Sequence, residues 1–199
     1  MPSPLFVSLQ QALETLKGQL IVQGKDYDQY TSTDHTMALG FRVLASAQME
    51  NYAERRCLEV ATEGVARLQK RLPTRAGHAL VLSYVTRKDQ FVPLNLQECP
   101  TDDRAIDALN AYRATIESSH GVSGRKLRLL VVRLGLQEPE LKQQLFDNLD
   151  LLAEARGAAA HIRVNRAKGM REPLAEWTDI TTTLPLLQDM DDTLQAATG

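Results

Sequence analysis

The stretch MALGFRVLASAQMENYAERRCLEVATEGVARLQKRL, residues 37–72, runs without a proline until Pro73. Leu39, Val43, Ser46, Glu50, Ala53, Cys57, Val60 and Gly64 follow one another at alternating steps of four and three. That spacing keeps side chains on one seam of an α-helix. The reading is therefore one long helix from about Met37 to Leu72, stopped by Pro73. Ser32, Thr33 and Asp34 are the candidate caps, and His35 lies beside them. A helix of this length needs other helices to cover its seam, which points to an all-α bundle.

The rest of the chain supplies them. Leu5, Leu9, Ala12, Leu13, Leu16 and Leu20 share a face of a first helix, Leu5 to Val22, ended by Gly24. Thr101-Asp102-Asp103 opens a helix that continues to Ser118 and breaks at Ser119-His120-Gly121. A short basic helix, Val122 to Leu134, carries Arg125, Lys126, Arg128 and Arg133. Glu138-Pro139-Glu140 begins a helix that reaches His161, and Pro173 opens a last one to Leu194. Residues 163–172 read as a polar, basic loop. Residues 73–100 change character. Ala79–Val85 and Phe91–Leu96 flank a charged Arg87-Lys88-Asp89-Gln90, which suits either a β-hairpin over 79–96 or an irregular excursion. The expected architecture is a single domain, 1–199, of about six helices, with 73–100 as an insertion or excursion.

Composition bounds the function. With 199 residues, 43% hydrophobic and 5% aromatic, the chain is globular and favours helix over β-sandwich. A net charge of −2 gives no global basic field, so nucleic-acid binding would need a local patch. The two cysteines, Cys57 and Cys99, form no disulfide framework and sit in no metal-ligand spacing. No membrane span or secretory leader is read, and the expected compartment is a reducing cytoplasm. No metal or cofactor is expected.

The candidate site lies on the penultimate helix. Its apolar stripe runs Leu145, Leu149, Leu152 and is then interrupted by Arg156, with His161 five residues on. Arginine is a permanent cation suited to phosphate, and histidine exchanges protons near neutral pH. The long helix has its own interruption at Glu50, with Asn51 and Glu54 beside it. Opposite charges on two apolar stripes predict an ion pair or a polar pocket, because an unpaired buried charge is costly. The architectural alternative is that Arg156 and Glu50 are a structural ion pair and His161 is a helix-terminal histidine. Five residues at 100° each set Arg156 and His161 about 140° apart, so they do not converge within one helix. Gly157, Ala158, Ala159 and Ala160 would allow two such helices to cross closely. His35, His78 and His120 read as cap, loop and turn residues in contact with solvent.

Arg156-(four residues)-His161 near the end of the penultimate helix of an all-α chain resembles the R-x4–6-H motif of the HEPN superfamily. Ala45-Ser46-Ala47-Gln48-Met49-Glu50 is similar to the "SAxxE" helix of its RiboL-PSP-type families. The turn Arg133-Leu134-Gly135-Leu136 leading into Leu141–Ala155 is similar as well. The resemblance covers about 36–72 and 120–195 and leaves 73–100 unmatched. It implies a metal-independent endoribonuclease of toxin–antitoxin or antiviral defence type, a homodimer in which two motifs form one cleft. His161 would then be the general acid or base and Arg156 the stabiliser of the phosphorane. Glu50, Asn51 and Glu54 would support a polar pocket, and Arg163, Arg166 and Lys168 would meet the RNA backbone. RNA is the implied substrate, and an antitoxin or other neutralising protein a possible partner. The chain departs from the pattern at Gly157, where a polar residue is usual, and at Ile162, where glycine is frequent. The alternative is a catalytically inactive module that binds RNA, a nucleotide or a protein.

Overall fold

The computed structural model describes residues 2–86, 102–118, 121, 123–160 and 171–199. Seven α-helices occur among them: α1 (Pro4–Leu20), α2 (Ser32–Gln69), α3 (Arg75–Thr86), α4 (Asp102–Glu117), α5 (Gly124–Arg133), α6 (Gln143–Ala160) and α7 (Pro173–Ala196). The all-α reading holds, and the long central helix is present. It starts earlier than its apolar stripe does. Thr31 accepts the amide of Asp34 at 3.2 Å, and the Asp34 carboxylate accepts the amide of Thr31 at 2.7 Å. This reciprocal cap extends the helix a full turn beyond the first apolar residue.

The buried seam of α2 agrees with the sequence from Ser46 onward, through Ala53, Cys57, Val60 and Gly64. Upstream it shifts by one position. Ala38, Phe41, Arg42 and Ala45 are buried, while Val43 and Leu44 are exposed. The shift follows from partners on α7. Phe41 meets the Trp177 ring edge-on at 6.1 Å, and Arg42 is ion-paired with Glu176. A second buried pair, Arg56 with Asp191, joins the same helices further along. Both residue numbers rise together, so α7 runs parallel to α2. Asp191 also accepts the Ser3 amide at 2.6 Å, which ties the start of α1 to this seam.

Residues 79–86 belong to α3, so the first arm of the hairpin option is helical; its second arm lies outside the described residues. The cause is a close crossing with α2. A Cβ on Gly64 would lie 2.8 Å from the Gly77 amide nitrogen, and one on Gly77 would lie 2.6 Å from the Gly64 carbonyl oxygen. Such contact needs two helical backbones with no side chain between them. It buries Ala76, Leu80 and Val81, whereas a lone hairpin would have no sheet to pack on. The C-terminus closes the same end: the Ala76 amide donates to the Ala197 carbonyl at 3.0 Å.

Candidate functional site

Three elements meet where α2, α6 and the turn before α5 come together. Glu50 projects from α2 toward Arg156 on α6, and Arg156 Nη1 donates to Glu50 Oε2 at 3.1 Å. The other carboxylate oxygen, Oε1, accepts the backbone amide of Gly121. Gly121 has φ +88°, and a Cβ there would sit 3.1 Å from Arg156 Nη2. The backbone of this turn therefore lies directly against the guanidinium, in a conformation that favours glycine. The start of α5 is fixed nearby, where the Gly124 amide donates to Asp150 Oδ1 of α6 at 2.9 Å.

The pairing of Glu50 with Arg156 expected from the interrupted stripes is present, but it lies at the rim and not in the core. Leu149 and Leu152 are buried, whereas the Arg156 side chain stays 34% exposed and that of Glu50 18%. Glu50 holds Nη1, the Gly121 turn lies against Nη2, and about a third of the side chain remains accessible. Asn51, at the next position of α2, is exposed and takes no part in this contact; Glu54 is partly exposed one turn on. Gly157 and Ala158 are exposed, and a Cβ on Gly157 would meet nothing within 4 Å. Glycine at that position is therefore not imposed by packing among the described residues. His161, Arg163, Arg166 and Lys168 lie outside the described residues, as do His120 and Cys99.

Two histidines depart from expectation. His35 and His78 are buried at 6% and 2% exposure, not solvated. His35 packs against Tyr30 with ring centroids 6.0 Å apart, inside the cap of α2. His78 is enclosed by the α2–α3 crossing, with Nδ1 2.9 Å from the Thr74 carbonyl. Cys57 is buried and its thiol is pushed up to about 12 by desolvation, which leaves it inert as a nucleophile near neutral pH. Among the described residues no group of three or more His, Cys, Asp or Glu is placed to hold a metal ion. No helix described is long and apolar enough to cross a membrane.

Sequence reasoning missed Arg42. It is 7% exposed, and Glu176 grips it on two sides: Nε donates to Oε2 at 2.6 Å, and Nη2 donates to Oε1. Its remaining Nη1 donates to the carbonyl of Ala155, the residue before Arg156, at 3.3 Å. The one faint signal in the sequence is a polar register that the neighbouring Val43 and Leu44 mask. Arg42, Ser46 and Glu50 recur every four residues and share one face of α2. On α5, Arg125 is exposed, Arg128 stacks 4.4 Å over the Phe146 ring, and Arg133 donates to Thr115 at 2.7 Å. Comparison with known proteins finds no matching family model, curated protein or solved structure.

Proposed function

We propose that this chain is a HEPN-type, metal-independent endoribonuclease acting through Arg156 and His161. The observation that carries the reading is the Glu50–Arg156 contact: Glu50 orients the arginine while about a third of that side chain stays open to a ligand. An arginine held on one edge presents its other N–H donors to a phosphate without having to be ordered first. In the reaction, His161 takes the proton from a ribose 2′-hydroxyl, and the 2′-oxygen attacks the adjacent phosphorus. Arg156 offsets the charge that builds on the phosphorane oxygens. The 5′-oxygen departs with a proton from a second acid, leaving a 2′,3′-cyclic phosphate and a 5′-hydroxyl. The second acid is His161 of another copy, because Arg156 and His161 diverge on a single helix. Support for pairing of copies comes from the outer face of α6, where Leu151 is 64% exposed and exposed Ala158 lies two turns on along the same face.

The open Gly157 position favours one second reading: the polar residue that would assist the arginine is missing, and the domain binds RNA, a nucleotide or a protein without cutting. A neutralising partner protein belongs to either reading. Product analysis separates them. Wild-type protein incubated with RNA in EDTA is expected to yield fragments ending in 2′,3′-cyclic phosphate. Fragments with 3′-hydroxyl and 5′-phosphate ends, or binding without fragments, would overturn the ribonuclease reading.

A further inference from the structure

We propose that Arg42 and Glu176 are a positioning pair for Arg156. The inference rests on the ribonuclease reading only for its kinetic consequence; its geometric content stands apart. A buried ion pair contributes little net stability compared with well-packed apolar side chains, so its presence asks for another role. The contacts of Arg42 supply one. Through Nη1 it holds the Ala155 carbonyl of α6, and through Nε and Nη2 it holds Glu176 in the first turn of α7. The chain between Ala155 and Glu176 contains both Arg156 and His161. One side chain of α2 therefore ties the backbone next to Arg156 on α6 to the first turn of α7.

The same helix holds Arg156 itself through Glu50. Arg42 and Glu50 are two turns apart, about 12 Å along α2. Between them Ser46, fully buried, is small enough to let α6 close on α2. Buried Leu145, Leu149 and Leu152 set the roll of α6 up to Leu152, but Ala155 and Arg156 beyond them are only half-buried, and a local turn of one residue, 100°, would carry Arg156 away from Glu50. Two contacts from separate heights of α2, one to backbone and one to side chain, hold this end of α6 where apolar packing stops. The Arg56–Asp191 pair joins α2 and α7 as Arg42–Glu176 does and is also buried, but its other partners are Ser3, which caps α1, Glu59 on α2 and Gln195 on α7. It supplies a comparison pair with no hydrogen bond to α6 among the described residues.

The test uses the full chain with Arg42→Met plus Glu176→Leu, and Arg56→Met plus Asp191→Asn as the comparison. Two readouts are taken: kcat and KM for RNA cleavage, and the 15N guanidinium resonance of Arg156, assigned through Arg156→Lys. The first double variant is expected to remain helical, to lose about 10²-fold in kcat with KM near wild type, and to lose the slow-exchanging Arg156 resonance. The second is expected to leave kcat and that resonance unchanged. Where the first double variant fails to fold, Arg42→Lys replaces it. It keeps the charge but not the fork, and the same losses are expected, whereas a purely structural cation would be rescued by lysine. An Arg156 resonance unchanged in a folded variant, or kcat within about twofold of wild type, overturns the positioning role. If the wild type cuts no RNA, the ribonuclease reading fails by itself, and the Arg156 resonance alone decides the positioning claim.

Discussion

Arg156 is held by Glu50 and flanked by the Gly121 turn yet stays about a third exposed, and this partial exposure makes it a candidate ligand-binding cation and not only a bundle-stabilising one. The turn glycine beneath it is part of the arrangement. Gly121→Ala adds a Cβ 3.1 Å from Arg156 Nη2 at a backbone φ of +88°. The expected outcome is a loss of about 1–2 kcal/mol in urea denaturation from strain at that φ, with Arg156 displaced from Glu50. Glu50→Gln keeps the shape and removes the charge; it is expected to leave the fold intact and weaken the hold on Arg156, read as a fall of about tenfold or more in RNA cleavage. The Arg156–Glu50 pairing was legible in the sequence because each residue interrupts an apolar stripe. Arg42 was not, because Val43 and Leu44 beside it supply a plausible apolar continuation and exposed aliphatic residues carry no signature in one sequence. His35 and His78 misled for a related reason: a polar residue near a turn reads as solvated until a tertiary crossing encloses it.

At the scale of elements, the helix-forming pattern fixed six of the seven helices seen among the described residues, while α3 was obscured. Leu80-Val81-Leu82-Ser83-Tyr84-Val85 is rich in residues that suit strands, and the deciding information lies in Gly64 on another helix, thirteen positions before the Gly77 it crosses. Gly77→Ala tests this crossing directly. Its Cβ would meet backbone at 2.6 Å, so the helices must separate, and a loss of about 1–3 kcal/mol in thermal or urea unfolding is expected. The N-terminal cap of α2 gives a pH prediction. Asp34 accepts from Lys25 Nζ at 2.8 Å, from the Thr31 amide and from the Thr31 hydroxyl, and these hold its carboxyl down at about 2 from an ordinary 3.8. A folded-state value below the unfolded one stabilises above about pH 4 and is lost as the pH falls toward 2. Side-chain carboxyl NMR is expected to show Asp34 titrating near 2 in wild type and closer to its ordinary value in Lys25→Ala. A normal value in wild type would contradict the cap geometry.

At the scale of the whole molecule, α2 is the organiser. It is crossed by α3 at Gly64, joined to α7 by two buried ion pairs, and meets α6 at Arg42 and Glu50. Its amphipathic pattern made the all-α class readable, but the parallel run of α7 depends on which distant charges pair, and no local pattern encodes that. The proposed chemistry adds a requirement beyond the single chain, since their spacing would set Arg156 and His161 about 140° apart on one continuous helix. Light scattering at micromolar concentration is expected to give a mass near twice 22.2 kDa, and the single-chain mass would exclude the composite cleft. The most direct measurement is RNA cleavage in EDTA by wild type, Arg156→Ala and His161→Ala. General acid–base catalysis contributes about 10²–10⁴-fold, and one electrostatic stabiliser about 10²–10³-fold. Wild type is therefore expected to cut RNA, but not the same strand with 2′-hydrogen at the cleavage position, while both variants stay folded and fall by at least about 10²-fold. Cleavage that survives His161→Ala, or a wild type that leaves RNA intact, would contradict the account.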